Sequence, residues 1–181
     1  MKILLTLRDA VQGWIAIIRG EADWARHFTL SLAGLMTALA LFVFIALILI
    51  ALVTLDTGLP GLIEIANGVF GQALSILALV LGIFFTRRMV PGEARFLDLL
   101  VPGLYAMIFY LLAGTVLSLV SGPALMLLWV VLGCLLYCLG RRAGGWTRGV
   151  AAAFAVLTVV LLVGMPVTLY MLVGPVAAPT P

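Results

Sequence analysis

Residues 28–55 read FTLSLAGLMTALALFVFIALILIALVTL, and this stretch contains no charged residue. Its central part, Leu39 to Val53, consists of apolar residues alone. A helix needs about 20 apolar residues to cross a bilayer core of roughly 30 Å, so the stretch predicts a membrane-spanning helix. A spanning β-strand would show about ten residues that alternate between apolar and polar, and the unbroken run excludes that pattern.

Four further apolar runs follow the first one. The five predicted spans are roughly Phe28 to Leu55, Ile65 to Thr86, Leu99 to Val120, Ala124 to Leu139 and Gly149 to Val173. The fourth is short and can extend into Gly140. The composition also indicates a membrane protein. The chain has 65% hydrophobic residues, 9% charged residues and a mean hydropathy of +1.33, and these values are far from those of a water-soluble domain. The sequence therefore predicts an all-α polytopic membrane protein with five transmembrane helices.

The basic residues orient these spans. Five crossings place all ten in one compartment: Lys2, Arg8, Arg19, Arg26, Arg87, Arg88, Arg95, Arg141, Arg142 and Arg148. By the positive-inside rule that compartment is the cytoplasm. The other side receives Asp56, Glu64, an uncharged turn at 121–123 and an uncharged tail. Because Arg, Ala, Leu and Gly usage indicates a GC-rich bacterial genome, we expect a bacterial inner-membrane protein with its amino terminus inside and its carboxyl terminus outside.

The amino-terminal residues show a helical pattern of their own. Arg8 and Asp9 interrupt the apolar run, which disfavours a cleaved export signal. Apolar residues recur at three- and four-residue spacing: Leu4, Leu7, Val11, Trp14, Ile15 and Ile18. This predicts an amphipathic helix in the inner head-group region, ended by Gly20, with Trp14 and Trp24 as interfacial anchors. A helix that caps the cytoplasmic ends of the spans fits equally well, and the two roles are compatible.

The chain is thus divided into three parts: a cytoplasmic-face helix and polar elbow (1–27), a five-helix transmembrane domain (28–174) and a short non-cytoplasmic tail (175–181). The pI of about 9.2 and the net charge of +3 indicate contact with anionic lipid head groups, and no nucleic-acid partner is needed to explain them. The residues expected at a lipid or partner contact are Arg8, Trp14, Arg19, Trp24, Arg87, Arg88, Arg141, Arg142 and Arg148. A protein partner or a second copy of the chain remains open.

Residues that carry catalysis or bind metals are scarce. His27 is the single histidine and lies in the polar elbow. Cys134 and Cys138 share one helix face; inert, buried cysteines are favoured over a soft-metal or lipid site. The sequence contains no phosphate loop, nucleophile elbow or paired-carboxylate arrangement. We therefore expect no enzymatic activity, no cofactor and no metal site.

Few polar groups lie inside the predicted spans. No ionisable residue stands in the middle of a span, which disfavours an ion-coupled carrier. Asn67 and Gln72 are the only amides in the predicted spans, and they either join helices or accept a hydrogen bond from a neutral substrate. Asp98 is expected to form an ion pair with Arg95, three residues before it.

Small residues and prolines indicate how the spans pack. Three sets share helix faces: Gly34 with Ala38, Gly68 with Gly71 and Ser75, and Gly114 with Ser118 and Gly122. Packing within one chain is favoured over dimerisation. Pro102 is expected in the first turn of the third span, where its missing N–H costs little. Pro166 falls inside the fifth span, where a kink either shapes packing or lines a cavity.

The predicted topology resembles that of the Yip (Ypt-interacting protein) domain family. The segments that carry the likeness to bacterial members are Phe96-Leu97-Asp98-Leu99-Leu100, the third span with Tyr105 and Tyr110, and Leu135-Leu136-Tyr137 running into Arg141-Arg142 and Trp146-Thr147-Arg148-Gly149. The likeness covers about residues 10 to 173. The Asp-Leu-Tyr-Gly-Pro signature of eukaryotic members is missing, so no functional residue is carried over. The resemblance implies a non-enzymatic membrane protein, in eukaryotes tied to small GTPases and membrane shaping.

Two functions are compatible with these patterns. The favoured one is a structural or interaction component that organises the membrane or associates with a complex. The alternative is a non-catalytic transmembrane subunit of a transporter or permease complex, with Asn67, Gln72 and Pro166 near the passage.

Overall fold

The computed structural model describes residues 2–54, 61–90, 94–118 and 124–173, and these residues form an all-α structure. The elements in chain order are α1 (Lys2–Arg19), a 3-10 helix (Ala22–His27), α2 (Leu32–Thr54), α3 (Leu62–Met89), α4 (Phe96–Ser118), α5 (Ala124–Arg142) and α6 (Arg148–Val173). Several features of the predicted topology lie outside the residues and side chains that the structure describes. They are Asp56, the turn 121–123, the tail 175–181, and the side chains of Lys2, Leu4, Glu64 and Ser118.

Four helices are long and apolar enough to cross a membrane. These candidate spans are Leu32–Leu52, Ile65–Met89, Phe96–Leu117 and Arg148–Leu169. They indicate a multi-pass membrane protein. The fourth predicted span corresponds to α5, which is not among them, so a count of five stays a prediction. α5 has 19 residues, ends on Arg141 and Arg142, and includes Gly140 as expected.

The start of α2 differs from the predicted span, which begins at Phe28. Phe28 has an extended backbone (φ −120°, ψ 137°), and the helix begins only after Ser31. The Ser31 hydroxyl oxygen accepts a hydrogen bond from the Gly34 N–H at 3.2 Å, which satisfies one of the free donors at the helix start. Hydropathy alone does not reveal this cap, because the residues on both sides of it are apolar.

The start of α4 corrects two expectations. α4 begins at Phe96, and the Asp98 carboxylate accepts a hydrogen bond from the backbone N–H of Arg95 at 3.0 Å. Asp98 thus caps the helix, and no ion pair joins it to the Arg95 side chain in the described part of the chain. Because the helix starts at Phe96, Pro102 lies in its second turn and not in the first. The Asp98 carbonyl therefore has no proline N–H to accept from.

α4 lies at the centre of the bundle. Its most apolar window is 56% buried, against 28% for each of the other three candidate spans, and every residue from 99 to 108 is buried. In contrast, α2 and α3 expose large apolar side chains such as Phe44 and Phe70. Such surfaces suit lipid, which solvates them as well as protein does, whereas monomeric soluble proteins rarely expose large apolar patches.

Glycines allow the closest contacts between helices. A side chain at Gly82 of α3 would collide with the Thr158 hydroxyl of α6, and a Cβ on Gly103 of α4 would lie 2.9 Å from Leu79 Cδ2. Thr158 is fully buried and donates its hydroxyl hydrogen to the Phe154 carbonyl at 2.8 Å. Of the predicted small residues, Gly68 packs against the Ile50 side chain. The space beside Gly71 is open.

Candidate functional site

The basic ends of α3, α5 and α6 lie at one end of the bundle, where α1 also packs. We call this end the basic face. The Gly82–Thr158 contact brings the end of α3 beside the first half of α6. A Cβ on Gly140 would lie 3.2 Å from the Ala151 Cβ, so α5 ends beside the start of α6. The arginines of this face are Arg8, Arg19, Arg87, Arg88, Arg141, Arg142 and Arg148; Arg87 is half-buried and the others are exposed.

α1 ends at Gly20, as predicted, and its end lies against α5. Gly20 has a φ of +78°. Its N–H donates to the Ile17 carbonyl at 3.1 Å and the Glu21 N–H donates to the Ala16 carbonyl at 2.9 Å, which is the hydrogen-bond pattern of a Schellman motif. A side chain at Gly20 would collide with the Arg142 guanidinium. Glycine is therefore favoured here by its backbone conformation, while a larger residue would also displace the Arg142 guanidinium.

The predicted apolar stripe of α1 divides into two faces. Trp14 of that stripe is buried in the core together with Phe28 and with Ala10 and Ile17, two residues that the predicted stripe does not include. Trp14 is only 3% exposed, which corrects the expectation that it contacts the bilayer. It lies four residues after Ala10 and three before Ile17, so it shares the helix face that packs on the bundle. Its indole Nε1 is buried without a hydrogen-bond partner among the described residues.

The second face of α1 remains exposed. Val11 (43%), Ile15 (42%) and Ile18 (56%) are the large apolar residues on it. At 100° per residue they lie beside Arg8 and Arg19 on the helix surface. α1 therefore caps the bundle with one face and presents a separate apolar stripe with basic neighbours on the other.

The 3-10 helix continues the basic face. Trp24 is half-buried, and its ring lies 6.3 Å from that of Phe28. Arg26 forms an ion pair with Asp23 at 3.0 Å, and Arg19 forms one with Glu21 at 3.8 Å. Both pairs are exposed, so they contribute little to stability.

The turn between α5 and α6 is packed onto the bundle. Arg141 Nη1 donates to the Trp146 carbonyl at 2.6 Å. The Trp146 side chain is 3% exposed and meets Phe154 edge to face, with ring centroids 5.2 Å apart. Gly145 has a φ of +63°, a left-handed backbone conformation that glycine adopts readily in a turn. Arg142 and Arg148, on either side of this turn, remain exposed.

A cavity of about 250 Å³ lies between α1 and the α5–α6 turn; we call it the arginine pocket. Its lining residues are Ile17, Ile18, Tyr137, Cys138, Arg141, Arg142 and Arg148. No carboxylate lies within ion-pair distance of the three arginines in the ranges that the structure covers. The pocket thus combines concentrated positive charge with apolar walls.

A second cavity, of about 450 Å³, runs between α5 and α6; we call it the apolar groove. Its lining includes Trp129, Gly133, Tyr137, Ala155, Val156 and Val160. Tyr137 lines both cavities. Cys134 also lines the groove and is exposed, while Cys138 is half-buried, so the expectation that both cysteines are buried is wrong. The small Gly133 beside Cys134 leaves this side of α5 uncovered.

The predicted intramembrane amides are far from the basic face. Asn67 and Gln72 lie in the first half of α3, whereas its arginines lie at the other end. Asn67 is exposed. Gln72 is half-buried, and its Oε1 atom is buried without a hydrogen-bond partner among the described residues. Pro166 lies inside α6 as predicted.

One polar contact between helices was missed by the sequence analysis. Trp129 Nε1 of α5 donates to the Tyr110 hydroxyl oxygen of α4 at 3.0 Å. The two aromatic residues are 19 positions apart, so no local spacing could have indicated the bond. It fixes α5 against α4 beside the apolar groove. No family model, no curated protein and no solved structure matches the chain.

Proposed function

We propose that the chain is a bacterial inner-membrane protein that spans the bilayer five times and acts as a structural or interaction component. Its basic face contacts anionic head groups and in this way organises lipid or holds a partner at the membrane surface. The observation that carries the proposal is the exposed apolar stripe of α1, with Arg8 and Arg19 beside it. The resemblance to the Yip family belongs to the same proposal.

The packing of α5 supports a fifth span. α5 lies between α4 and α6, both candidate spans, and Trp129 bonds to Tyr110 of α4. Its 19 residues rise about 28 Å at roughly 1.5 Å each, close to the roughly 30 Å of a bilayer core. A helix packed against two spanning neighbours occupies the same slab of the bilayer. Five crossings then give the cytoplasmic amino terminus that the arginines favour.

Reporter fusions distinguish five spans from four. We expect an enzyme that is active only in the periplasm to be active when fused after Pro181 and silent when fused after Arg142. If α5 does not cross, both results reverse, because α6 then returns the chain to the cytoplasm. A fusion after Met89 is expected to be silent in either case and serves as the control. Activity after Arg142 with silence after Pro181 would contradict the proposed topology.

α1 is proposed to lie in the head-group region with Val11, Ile15 and Ile18 toward the acyl chains. Anionic lipid attracts basic residues near its surface by about 1 kcal/mol each. The variant Arg8→Glu/Arg19→Glu loses about 2 kcal/mol of this attraction and is therefore expected to release α1 from phosphatidylglycerol vesicles, with at least about 30-fold faster protease cleavage within residues 1–20.

The matched control is Arg8→Lys/Arg19→Lys, which keeps both charges and is expected to be cleaved at the wild-type rate. In neutral phosphatidylcholine vesicles all three proteins are expected to behave alike. Equal cleavage of the glutamate variant and the wild type in anionic vesicles would count against α1 as an interfacial helix.

A transporter subunit is the second candidate function. It is favoured by Gln72 Oε1, a buried acceptor without a partner among the described residues, since such a group suits a hydrogen bond from a substrate or from another chain. Extraction in mild detergent tests it. Stoichiometric co-purification with an ATPase or a substrate-binding protein, lost in Gln72→Leu but kept in wild type, would support this candidate over the first.

A further inference from the structure

The arginine pocket and the apolar groove meet at Tyr137, which lines both. The groove extends along α5 from Met126 to Tyr137, which is about 17 Å at roughly 1.5 Å per residue. The pocket lies at the basic end of the same pair of helices. The two cavities are therefore neighbours along α5, with the charged one at its basic end and the apolar one beside its body.

The charged end suits a phosphate group. Arg142 and Arg148 are exposed, and Arg141 uses one Nη atom for the Trp146 carbonyl while its other donors stay available. Guanidinium groups match phosphate oxygens in a two-bonded geometry. Ile17 and Ile18 of α1 form an apolar wall, and such a wall strengthens charge interactions by limiting water.

The apolar groove suits an acyl chain that continues from a phosphate group. The groove is lined by apolar side chains of α5 and α6, two helices that the proposed function places in the bilayer. The three arginines of the neighbouring pocket have no carboxylate partner among the described residues. An occupant that matches both parts carries a negative charge and a hydrocarbon chain, as an anionic lipid does.

We propose that one anionic phospholipid occupies this site, with its phosphate in the arginine pocket and one acyl chain along the apolar groove. The inference rests on the proposed function, which places the basic face at the cytoplasmic leaflet. α1 completes the site, because Gly20 leaves the room in which the Arg142 guanidinium lies and Ile17 and Ile18 form the wall. The site thus joins α1 to the α5–α6 turn through a lipid.

Native mass spectrometry of the full chain, purified in detergent and mixed with defined lipids, tests this inference. We expect phosphatidylglycerol to stay bound at activation energies that remove phosphatidylcholine. Arg142→Gln/Arg148→Gln is expected to weaken phosphatidylglycerol binding by about 30-fold. Arg87→Gln/Arg88→Gln removes the same charge from another part of the basic face and is expected to leave binding at the wild-type level.

The groove is tested separately. Val156 lines it and is 63% exposed, so Val156→Trp fills it without disturbing the core. Val116 on α4 is equally exposed at 63% and lies outside the groove, which makes Val116→Trp the matched control. We expect only Val156→Trp to weaken phosphatidylglycerol binding by about tenfold. Because Val156 is exposed, this variant also provides the test if the arginine variant fails to fold.

Three outcomes would overturn the lipid site. These are equal binding of the two lipids, displacement of phosphatidylglycerol by inorganic phosphate at millimolar concentration, and a dimer in wild type that Val156→Trp dissociates. The second would assign the pocket to free phosphate, and the third would assign the groove to a second copy. Reporter fusions with the expected pattern, together with any of these results, would leave the proposed function intact and remove only this inference.

Discussion

Trp146→Ala is expected to lower the free energy of unfolding by about 3–5 kcal/mol, as removal of a fully packed tryptophan does elsewhere. The Trp146 ring is 3% exposed and packs edge to face on Phe154. Its backbone is fixed as well, since the N–H donates to the Gly140 carbonyl at 3.1 Å and the carbonyl accepts from Arg141. Truncation leaves a cavity at the point where α5 turns into α6. The measurement is unfolding by denaturant in a fixed detergent, followed by circular dichroism.

Trp24→Ala provides the control, because it removes the same side chain from a half-buried position in the 3-10 helix. We expect a loss less than half as large, since fewer contacts disappear. If Trp146→Ala were no more destabilising than Trp24→Ala, the turn between α5 and α6 would not be packed on the bundle. The positions of Arg142 and Arg148 around the arginine pocket would then lose their support.

Gly82→Leu is expected to separate α3 from α6, with a loss of about 3 kcal/mol or more through overpacking. A side chain at this position meets the Thr158 hydroxyl, and Thr158 is fully buried with its hydroxyl bonded to its own helix. Neither helix backbone has room to accept the added atoms. The expected result is a lower melting temperature in detergent and faster proteolysis of the chain between α3 and α4.

Gly71→Leu is the matched control on the same helix. A Cβ at Gly71 has no neighbouring atom within 4 Å, so an added side chain begins in open space. Leucine also favours the helix over glycine by somewhat less than about 1 kcal/mol. Gly71→Leu is therefore expected to melt at or slightly above the wild-type temperature. If Gly82→Leu and Gly71→Leu melted at the same temperature, the contact between Gly82 and Thr158 would not hold α3 and α6 together.

The sequence predicts the apolar helices well and their ends less well. Hydropathy is additive along the chain, so the runs that became α2, α3, α4 and α6 stand out without knowledge of their neighbours. Helix ends depend on single hydrogen bonds instead. Gly20 was identified because glycine has a strong local preference at such ends. The cap at Ser31 lies within an apolar stretch, so the hydropathy of the sequence does not change where the helix begins.

The candidate site was predicted only in part, because charge is visible in a sequence and burial is not. Arg141, Arg142 and Arg148 were identified from the positive-inside rule. The division of α1 was missed, since helical spacing places Trp14 and Ile15 on one broad stripe and does not say which of them meets the bundle. That outcome depends on Phe28, whose ring occupies the space beside Gly13. Contacts between residues distant in sequence therefore determine which face of α1 is buried.

The pairing of Gly82 with Thr158 also has a consequence for biosynthesis. Thr158 follows Gly82 by 76 residues, which a ribosome needs about 4–15 s to add at roughly 5–20 residues per second. During this interval α3 is in the membrane and the space beside Gly82 is not yet filled by Thr158. In nascent chains that stall before α6, this space would stay accessible to other helices and to proteases. α6 therefore completes the packing surface of α3 only after α4 and α5 have been made.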